Sequence, residues 1–192
     1  MREKDELRKL MKILRKSLSD RQRDEFNNQI VGKVVELEEY QNSKLIFTYI
    51  TTQSEVDTVS LILQAFSDHK RVAVPRVCGD NMEFYEIDSL DDCVEGTYHI
   101  LEPKTQRIVI PENESNMIML IPGLAFDLNM NRCGYGKGYY DKYLNMHKSA
   151  DFLKVGLAYE CQLVSEVPNF EFDIKMDYLI SESRVITNLV KK

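Results

Sequence analysis

The chain has 192 residues, 43% of them apolar, and a formal net charge of −6. This length supports one substantial core and is short for two, so a single domain over residues 1–192 is expected. The acidic balance argues against a general nucleic-acid binder, whose affinity rests on clustered Lys and Arg, and requires any anionic ligand to be met by a local cationic pocket.

Met1 to Glu6 is charged and helix-like, without the apolar region of a signal peptide, and no run is long enough to span a bilayer. A cytoplasmic protein without membrane or nucleic-acid partners, monomeric or weakly dimeric, is the expectation. Over residues 4–18, Leu7, Leu10, Met11, Leu14 and Leu18 recur at helical spacing. The pattern predicts that this stripe packs inward while Lys4, Arg8, Lys12, Arg15 and Lys16 lie on other faces, where a basic cluster is ordinarily solvated. Ser19 with Gln22 forms a capping-box pattern, and Phe26, Ile30, Val34 and Leu37 continue a second helix to about Tyr40. Residues 1–40 are thus expected to be a helical pair packed on a sheet.

Leu45 to Ile50 is β-branched and aromatic, a strand, and Thr51 to Ser54 breaks it before helical spacing resumes from Val56 to Phe66. Glu55 and Asp57 fall in the turn between them. Arg71 to Pro75 is a second apolar strand, which makes residues 45–75 a β-α-β unit with parallel strands. Met82 to Ile87 alternates as a strand, and 88–116, with Pro103 and Pro111, reads as irregular with short extended pieces. Met117 to Ile121 is a buried strand, Tyr140 to Met146 a helix, and Lys154 to Tyr159 and Tyr178 to Ser181 two further strands. The class is α/β, a mostly parallel sheet flanked by helices. Such sheets bind ligands beyond the carboxyl ends of their strands, where Ile50, Glu55, Pro75, Arg76, residues 122–141 and Asp173 are expected.

Between the strand at 117–121 and the helix at 140–146 lies Arg132-Cys133-Gly134-Tyr135-Gly136-Lys137-Gly138-Tyr139-Tyr140-Asp141. Three alternating glycines allow positive φ and close backbone approach, so successive N–H groups can converge on an anion near a helix N-terminus. Arg132 and Lys137 add full positive charge. The pattern is neither the dinucleotide fingerprint nor a P-loop, since the last glycine spacing and the Ser/Thr after Lys are missing. A plain tight turn is the alternative, and the added cations, paired tyrosines and Asp141 favour a phosphate loop between a strand and a helix.

Cysteines 78, 93, 133 and 161 show no close pairing and histidines 69, 99 and 147 no metal-ligand spacing, which fits free thiols in a reducing compartment. No Ser/His/Asp or Cys/His constellation is visible.

Taken in order, Lys4-x-x-Leu7-Arg8, Glu55-Val56-Asp57-Thr58, Pro122-Gly123-x-x-Phe126-Asp127 and Arg132-x-Gly134-x-Gly136-Lys137-Gly138-Tyr139-Tyr140-Asp141 resemble the 5-formyltetrahydrofolate cyclo-ligase (methenyltetrahydrofolate synthetase) family over nearly the full length. Arg71-x-x-x-Pro75, Met82-x-Phe84, Ile100-x-Glu102-Pro103 and Asp173-x-x-x-Asp177 add to the match. The resemblance implies an α/β sheet between helices. It also implies an enzyme that uses Mg-ATP to convert 5-formyltetrahydrofolate to 5,10-methenyltetrahydrofolate, with ADP and phosphate released. In that chemistry the formyl oxygen attacks the γ-phosphate, N10 adds to the resulting iminium carbon, and phosphate departs without a protein nucleophile.

Carried onto this sequence, the resemblance implies ATP contacts from Lys4, Arg8, Arg132, Gly134, Tyr135, Gly136, Lys137, Gly138, Tyr139, Tyr140 and Asp141. Arg132, Lys137 and Tyr139 would act in catalysis, and Asp141 with Asp173 would hold Mg²⁺. Glu55 is expected to bind the pterin, and Ile50, Met82, Phe84 and Tyr98, with Tyr135 to Tyr139, to line the folate. Phe172, His99 and Cys133 depart from the family pattern. The rival reading is a phosphate- or sugar-phosphate-binding α/β protein without ATP-dependent ligase activity.

Overall fold

The computed structural model describes residues 2–52, 54–96 and 100–188. In chain order, α1 (Arg2–Lys16), α2 (Asp20–Glu36) and the short α3 (Glu38–Asn42) precede β1 (Leu45–Phe47) and α4 (Val59–Ser67). A hairpin of β2 (Arg71–Cys78) and β3 (Asn81–Ile87) follows, then β4 (Cys93–Glu95) and β5 (Leu101–Pro103), which occupy the region read as irregular. The second half runs β6 (Met117–Ile121), β7 (Ala125–Asp127), β8 (Arg132–Cys133), α5 (Tyr139–Met146), β9 (Phe152–Leu157), β10 (Leu163–Val164), β11 (Tyr178–Ile180) and β12 (Val185–Thr187).

The main sheet has seven strands in the order β12-β11-β9-β6-β1-β2-β3. Its inner pairings are parallel, and an antiparallel strand closes each edge. Alternation along the apolar strands divides the core. Ile46, Ile118, Leu120 and Val155 face one way and pack with Ile30 and Val34 of α2 and Leu61, Ile62 and Ala65 of α4. Leu45, Phe47, Met117, Met119 and Ile121 face the other way and pack with Phe84 of β3 and Tyr143 and Leu144 of α5. Burying a large apolar side chain fully contributes about 1.5–3 kcal/mol, so these two layers dominate the favourable side of folding.

The capping box at Ser19 forms as its spacing predicts: the Ser19 hydroxyl accepts from Gln22 N–H, and Gln22 Oε1 accepts from Ser19 N–H at 3.0 Å. The helix stops earlier than predicted because Leu37 turns to extended backbone (φ −62°, ψ 133°), leaving α3 as a separate turn. The structure does not pack residues 1–40 on the main sheet as one pair. Only α2 lies on its face. The body of α1 instead crosses a second, three-stranded sheet, β10-β7-β8, where Met11 packs with Leu124, Ala125, Cys133 and Val167.

The inward stripe of α1 also differs from expectation. Of the residues expected inside, Met11 is buried but Leu10 and Leu14 are 51% and 36% exposed, whereas Lys4 and Arg15 are each 6% exposed. Residues 4, 8, 11 and 15 share one helix face, on which Met11 meets the apolar cluster of the small sheet while the cations on either side of it meet a carboxylate, a carbonyl and hydroxyls. Buried cations need such partners. The strand 117–121 does not lead directly into the glycine loop either: β7 and β8 intervene, and residues 134–138 connect β8 to α5. Among the described residues, no helix is long and apolar enough to cross a membrane.

Candidate active site

After β1 the chain moves to β2 on one side, then returns to place β6 on the other. The β1/β6 boundary is therefore a topological switch point, where an open α/β sheet leaves a crevice beyond its carboxyl ends. Residues 48–58 leave β1 there, and residues 122–124 leave β6. The small sheet and α1 close over the same end, and the site is built from these pieces.

Phe126 fixes the entry to β7. A Cβ on Gly123 would stand 2.5 Å from the Phe126 ring, so only glycine admits this packing. Gln162, 1% exposed, donates from Nε2 to the carbonyls of Gly123 (2.8 Å) and Leu124 (3.1 Å) and locks the turn. Asp127 is fully buried, its carboxylate accepting from the N–H groups of Asn129, Asn131 and Val167 and from the Asn131 amide, all within 3.0 Å. This acid is a turn-former and has no reach into the crevice. The loop then runs through Gly136 (φ +106°) and Gly138 (φ +69°), the second serving as the N-cap of α5 without a side-chain cap. Both need the left-handed region that glycine enters freely, and the N-terminal N–H groups of α5 have no side-chain acceptor at the cap.

Four of the expected cations converge on this loop from two directions. From α1, Lys4 Nζ lies 2.6 Å from Asp173 Oδ2, and Arg8 Nε donates to Gly134 O at 2.9 Å. From β8, Arg132 donates to Pro122 O (3.2 Å) and to Asp141 Oδ2 (2.7 Å). Asp141 Oδ1 accepts from the Ile174 N–H (3.2 Å), which draws Asp141 beside the segment that carries Asp173. Lys137, at the exposed tip of the loop, makes no hydrogen bond or ion pair among the described residues. The buried Arg132 Nε and Tyr140 hydroxyl likewise have no partner there. A buried donor left without an acceptor costs about 1–3 kcal/mol, so an oxyanion bound here would satisfy groups the fold leaves open.

Glu55 sits on the other side of Tyr135. It is 9% exposed, accepting from Thr52 N–H (3.1 Å) and hydroxyl (2.8 Å) and from the Tyr135 hydroxyl at 2.5 Å. Arg15 donates to the same phenol oxygen at 2.8 Å and to Ser54 Oγ at 3.1 Å. Burial first, and the Glu55 carboxylate second, push the Tyr135 phenol up, as they do that of Tyr140, so both stay protonated donors across the physiological range. Burial also raises the Cys133 thiol, which makes it a packing residue and not a nucleophile.

Other expected residues are distributed differently. Phe84 has no exposed surface and stacks with Phe47, Tyr140 and Tyr143 in the core. Ile50 belongs to the core layer under α2 and α4, while Met82 lies in the opposite layer with Phe84, so these three do not form one wall. Tyr139 is half-buried against the α5 side. Tyr98 and His99 lie outside the described residues, and Phe172 is 73% exposed. Arg15, Thr52 and Ser54 were not singled out as site residues by motif; the spacing of Lys4, Arg8, Met11 and Arg15 along one helix face was the available signal. A larger cavity of about 880 Å³ lies at the opposite, amino edge of the sheet, lined by residues such as Glu36, Asp151 and Tyr178, away from all of this chemistry.

Residues 1–182 match the model of the 5-formyltetrahydrofolate cyclo-ligase family. A probable 5-formyltetrahydrofolate cyclo-ligase of Schizosaccharomyces pombe is 31% identical over 200 residues, covering 97% of this chain and 98% of the relative. The 5-formyltetrahydrofolate cyclo-ligase of Escherichia coli K12 is 28% identical, covering 89% and 96%. Among solved structures, Aquifex aeolicus 5,10-methenyltetrahydrofolate synthetase superposes with a TM-score of 0.86 at 32% identity, covering 98% of this chain and 94% of its own.

Proposed function

The chain belongs to the 5-formyltetrahydrofolate cyclo-ligase family, and on that premise we propose that its site divides into a phosphate half and a folate half. The enzyme converts 5-formyltetrahydrofolate to 5,10-methenyltetrahydrofolate with ATP as co-substrate. A formamide carbon is a poor electrophile, and its oxygen becomes a leaving group only once it carries a phosphoryl group. The formyl oxygen attacks the γ-phosphorus and ADP leaves; N10 then adds to the iminium carbon, and the C–O bond to phosphate breaks. The protein's task is positioning and charge neutralisation.

The observation that carries this reading is the meeting of two cationic elements, α1 and the β8–α5 loop, at the switch point beside a buried carboxylate. A single small phosphate does not require both elements, which disfavours a sugar-phosphate binder. In the phosphate half, Lys4, Arg8, Arg132 and Lys137 neutralise charge, and the backbone from Gly134 to Gly138 supplies N–H donors, with Tyr140 placed to donate. Tyr139 borders the same loop. In the folate half, Glu55 accepts from the N–H donors of the pterin, displacing hydrogen bonds it now makes to Tyr135 and Thr52.

Magnesium fits the residues present only as a partner of ATP. Among the described residues no cluster of three or more potential ligands exists, and Asp141 and Asp173 each face a cation already. Two carboxylates suffice for Mg²⁺ when phosphates and water complete its shell. Asp141 and Asp173 would hold it, and it would neutralise charge on the transferring phosphoryl group.

Steady-state kinetics of two substitutions test the division. Lys137→Ala is expected to reduce kcat/KM for ATP by roughly 10²-fold, the scale of losing one group that stabilises developing charge, with a smaller effect on folate KM. Glu55→Ala is expected to raise the folate KM by about tenfold or more with ATP binding retained. Equal effects of each substitution on both substrates would contradict it.

A further inference from the structure

The turn that carries Glu55 is gripped from outside by two side chains that none of the motifs contains. Tyr159, just past β9, has no exposed surface, and its hydroxyl lies 2.9 Å from Asn27 Oδ1 and 3.2 Å from the backbone carbonyl of Glu55. Its one proton is shared between these two acceptors. Burial pushes the Tyr159 phenol up to about 12, so it stays a donor across the physiological range. Asn27 Oδ1 accepts in addition from the Asp57 N–H at 3.1 Å. Asn27 lies on the face of α2 that carries Ile30 and Val34 onto the main sheet, and the adjacent Phe26 ring stands 6.3 Å from that of Tyr159.

The motif residues around Glu55 are engaged locally. Asp57 accepts from the Val59 N–H (2.8 Å) and the Ser60 hydroxyl (2.6 Å) at the start of α4, and the buried Thr58 donates to Tyr49 O (2.6 Å). Thr52, which holds the Glu55 carboxylate, belongs to the same turn and shapes it without fixing it to another element. The bond from Tyr135 is one that the folate displaces on the reading above. We infer that Asn27 and Tyr159 are positioning residues for the folate half of the site, holding the Glu55 backbone, and through it the carboxylate, where the N–H donors of the pterin meet it. The inference rests on the proposed role of Glu55 and deepens it. A recognition group on a loop works only when held to within about 0.5 Å by neighbours that are themselves locked by packing. Tyr159 is locked in this way, its ring lying in the core layer with Ile30 and Val34. Gln162, from the same turn, accepts from Tyr159 N–H (2.9 Å) and holds the Gly123 and Leu124 carbonyls, so the segment after β9 grips both turns that border the crevice. An amide suits position 27 because its oxygen serves two donors without adding a third negative charge beside Glu55 and Asp57.

The test is a mutant cycle read in steady-state kinetics, with Tyr159→Phe and Asn27→Leu each made in the unaltered protein and in the Glu55→Ala variant. Unfolding midpoints are recorded alongside, and Tyr159→Phe, which keeps the buried ring, decides the matter where the helix substitution lowers the midpoint. Each single change is expected to raise the KM for 5-formyltetrahydrofolate about fivefold, the scale of one hydrogen bond, and to leave the KM for ATP unchanged. Without Glu55 neither change should raise the folate KM further, because each acts through the carboxylate already removed. A merely structural role would raise both KM values together, or would persist at full size in the Glu55→Ala background; either result overturns the assignment, as does an unchanged folate KM in Tyr159→Phe. A Glu55→Ala variant with an unaltered folate KM contradicts the folate half itself, and the positioning role falls with it.

Discussion

Arg132 joins the turn that leaves β6 to the first turn of α5. Its guanidinium spans Pro122 O and Asp141 Oδ2 from an almost wholly buried position, while Nε points at no acceptor among the described residues. A planar fork makes those two bonds at once and keeps a third donor in hand; an ammonium group does not. Arg132→Lys is therefore expected to lose about 2 kcal/mol of stability, read from the denaturant midpoint, and on the order of 10²-fold in kcat/KM for ATP. Full activity in that variant would contradict the assigned role. Arg132 was legible in the sequence because it stands in a dense motif, as were Lys4, Arg8, Gly136 and Gly138. Arg15 was less so, because its importance comes from being buried beside Tyr135, 120 residues away. Phe84 was misleading for the same reason, since an aromatic on an alternating strand reads alike whether it lines a cleft or, as here, fills a core.

The β7–β8 hairpin is the element on which the glycine loop depends. Three- and two-residue strands carry too little periodicity to be seen in a sequence, and this pair was hidden between Pro122 and the glycines. The burial of Asp127, by contrast, explains why an acid stands there: it closes the turn through Asn129 and Asn131 and ties in Val167. Asp127→Ala leaves several buried N–H groups without an acceptor and is expected to cost about 3 kcal/mol in stability, with activity falling as the loop loses its base. A variant of unchanged stability would show that other groups hold the hairpin. Helix α1 presents the converse case. Its apolar spacing was plain, yet the helix buries the cationic side, because its docking surface offers the Asp173 carboxylate, the Gly134 carbonyl and the Ser54 and Tyr135 hydroxyls.

At the scale of the whole molecule, the parallel arrangement of the central strands was readable from uninterrupted apolar runs, which alternation then assigns to two core layers. The strand order was not readable, and it is what locates the site. Because β2 and β6 flank β1, the turn carrying Glu55 and the turn entering β7 leave the sheet side by side. The small sheet brings the glycine loop over that crevice, and α1 closes it with cations aligned from Lys4 to Arg15. On the proposed division of the site, such an architecture would bring a polyphosphate and a folate together without a protein nucleophile. The most direct test follows 5-formyltetrahydrofolate with and without Mg-ATP, recording the near-ultraviolet absorbance of the methenyl product alongside ADP release. Product that requires ATP and appears one for one with ADP is the predicted result. Folded protein that binds ATP but forms no product, or product formed without ATP, would contradict the account.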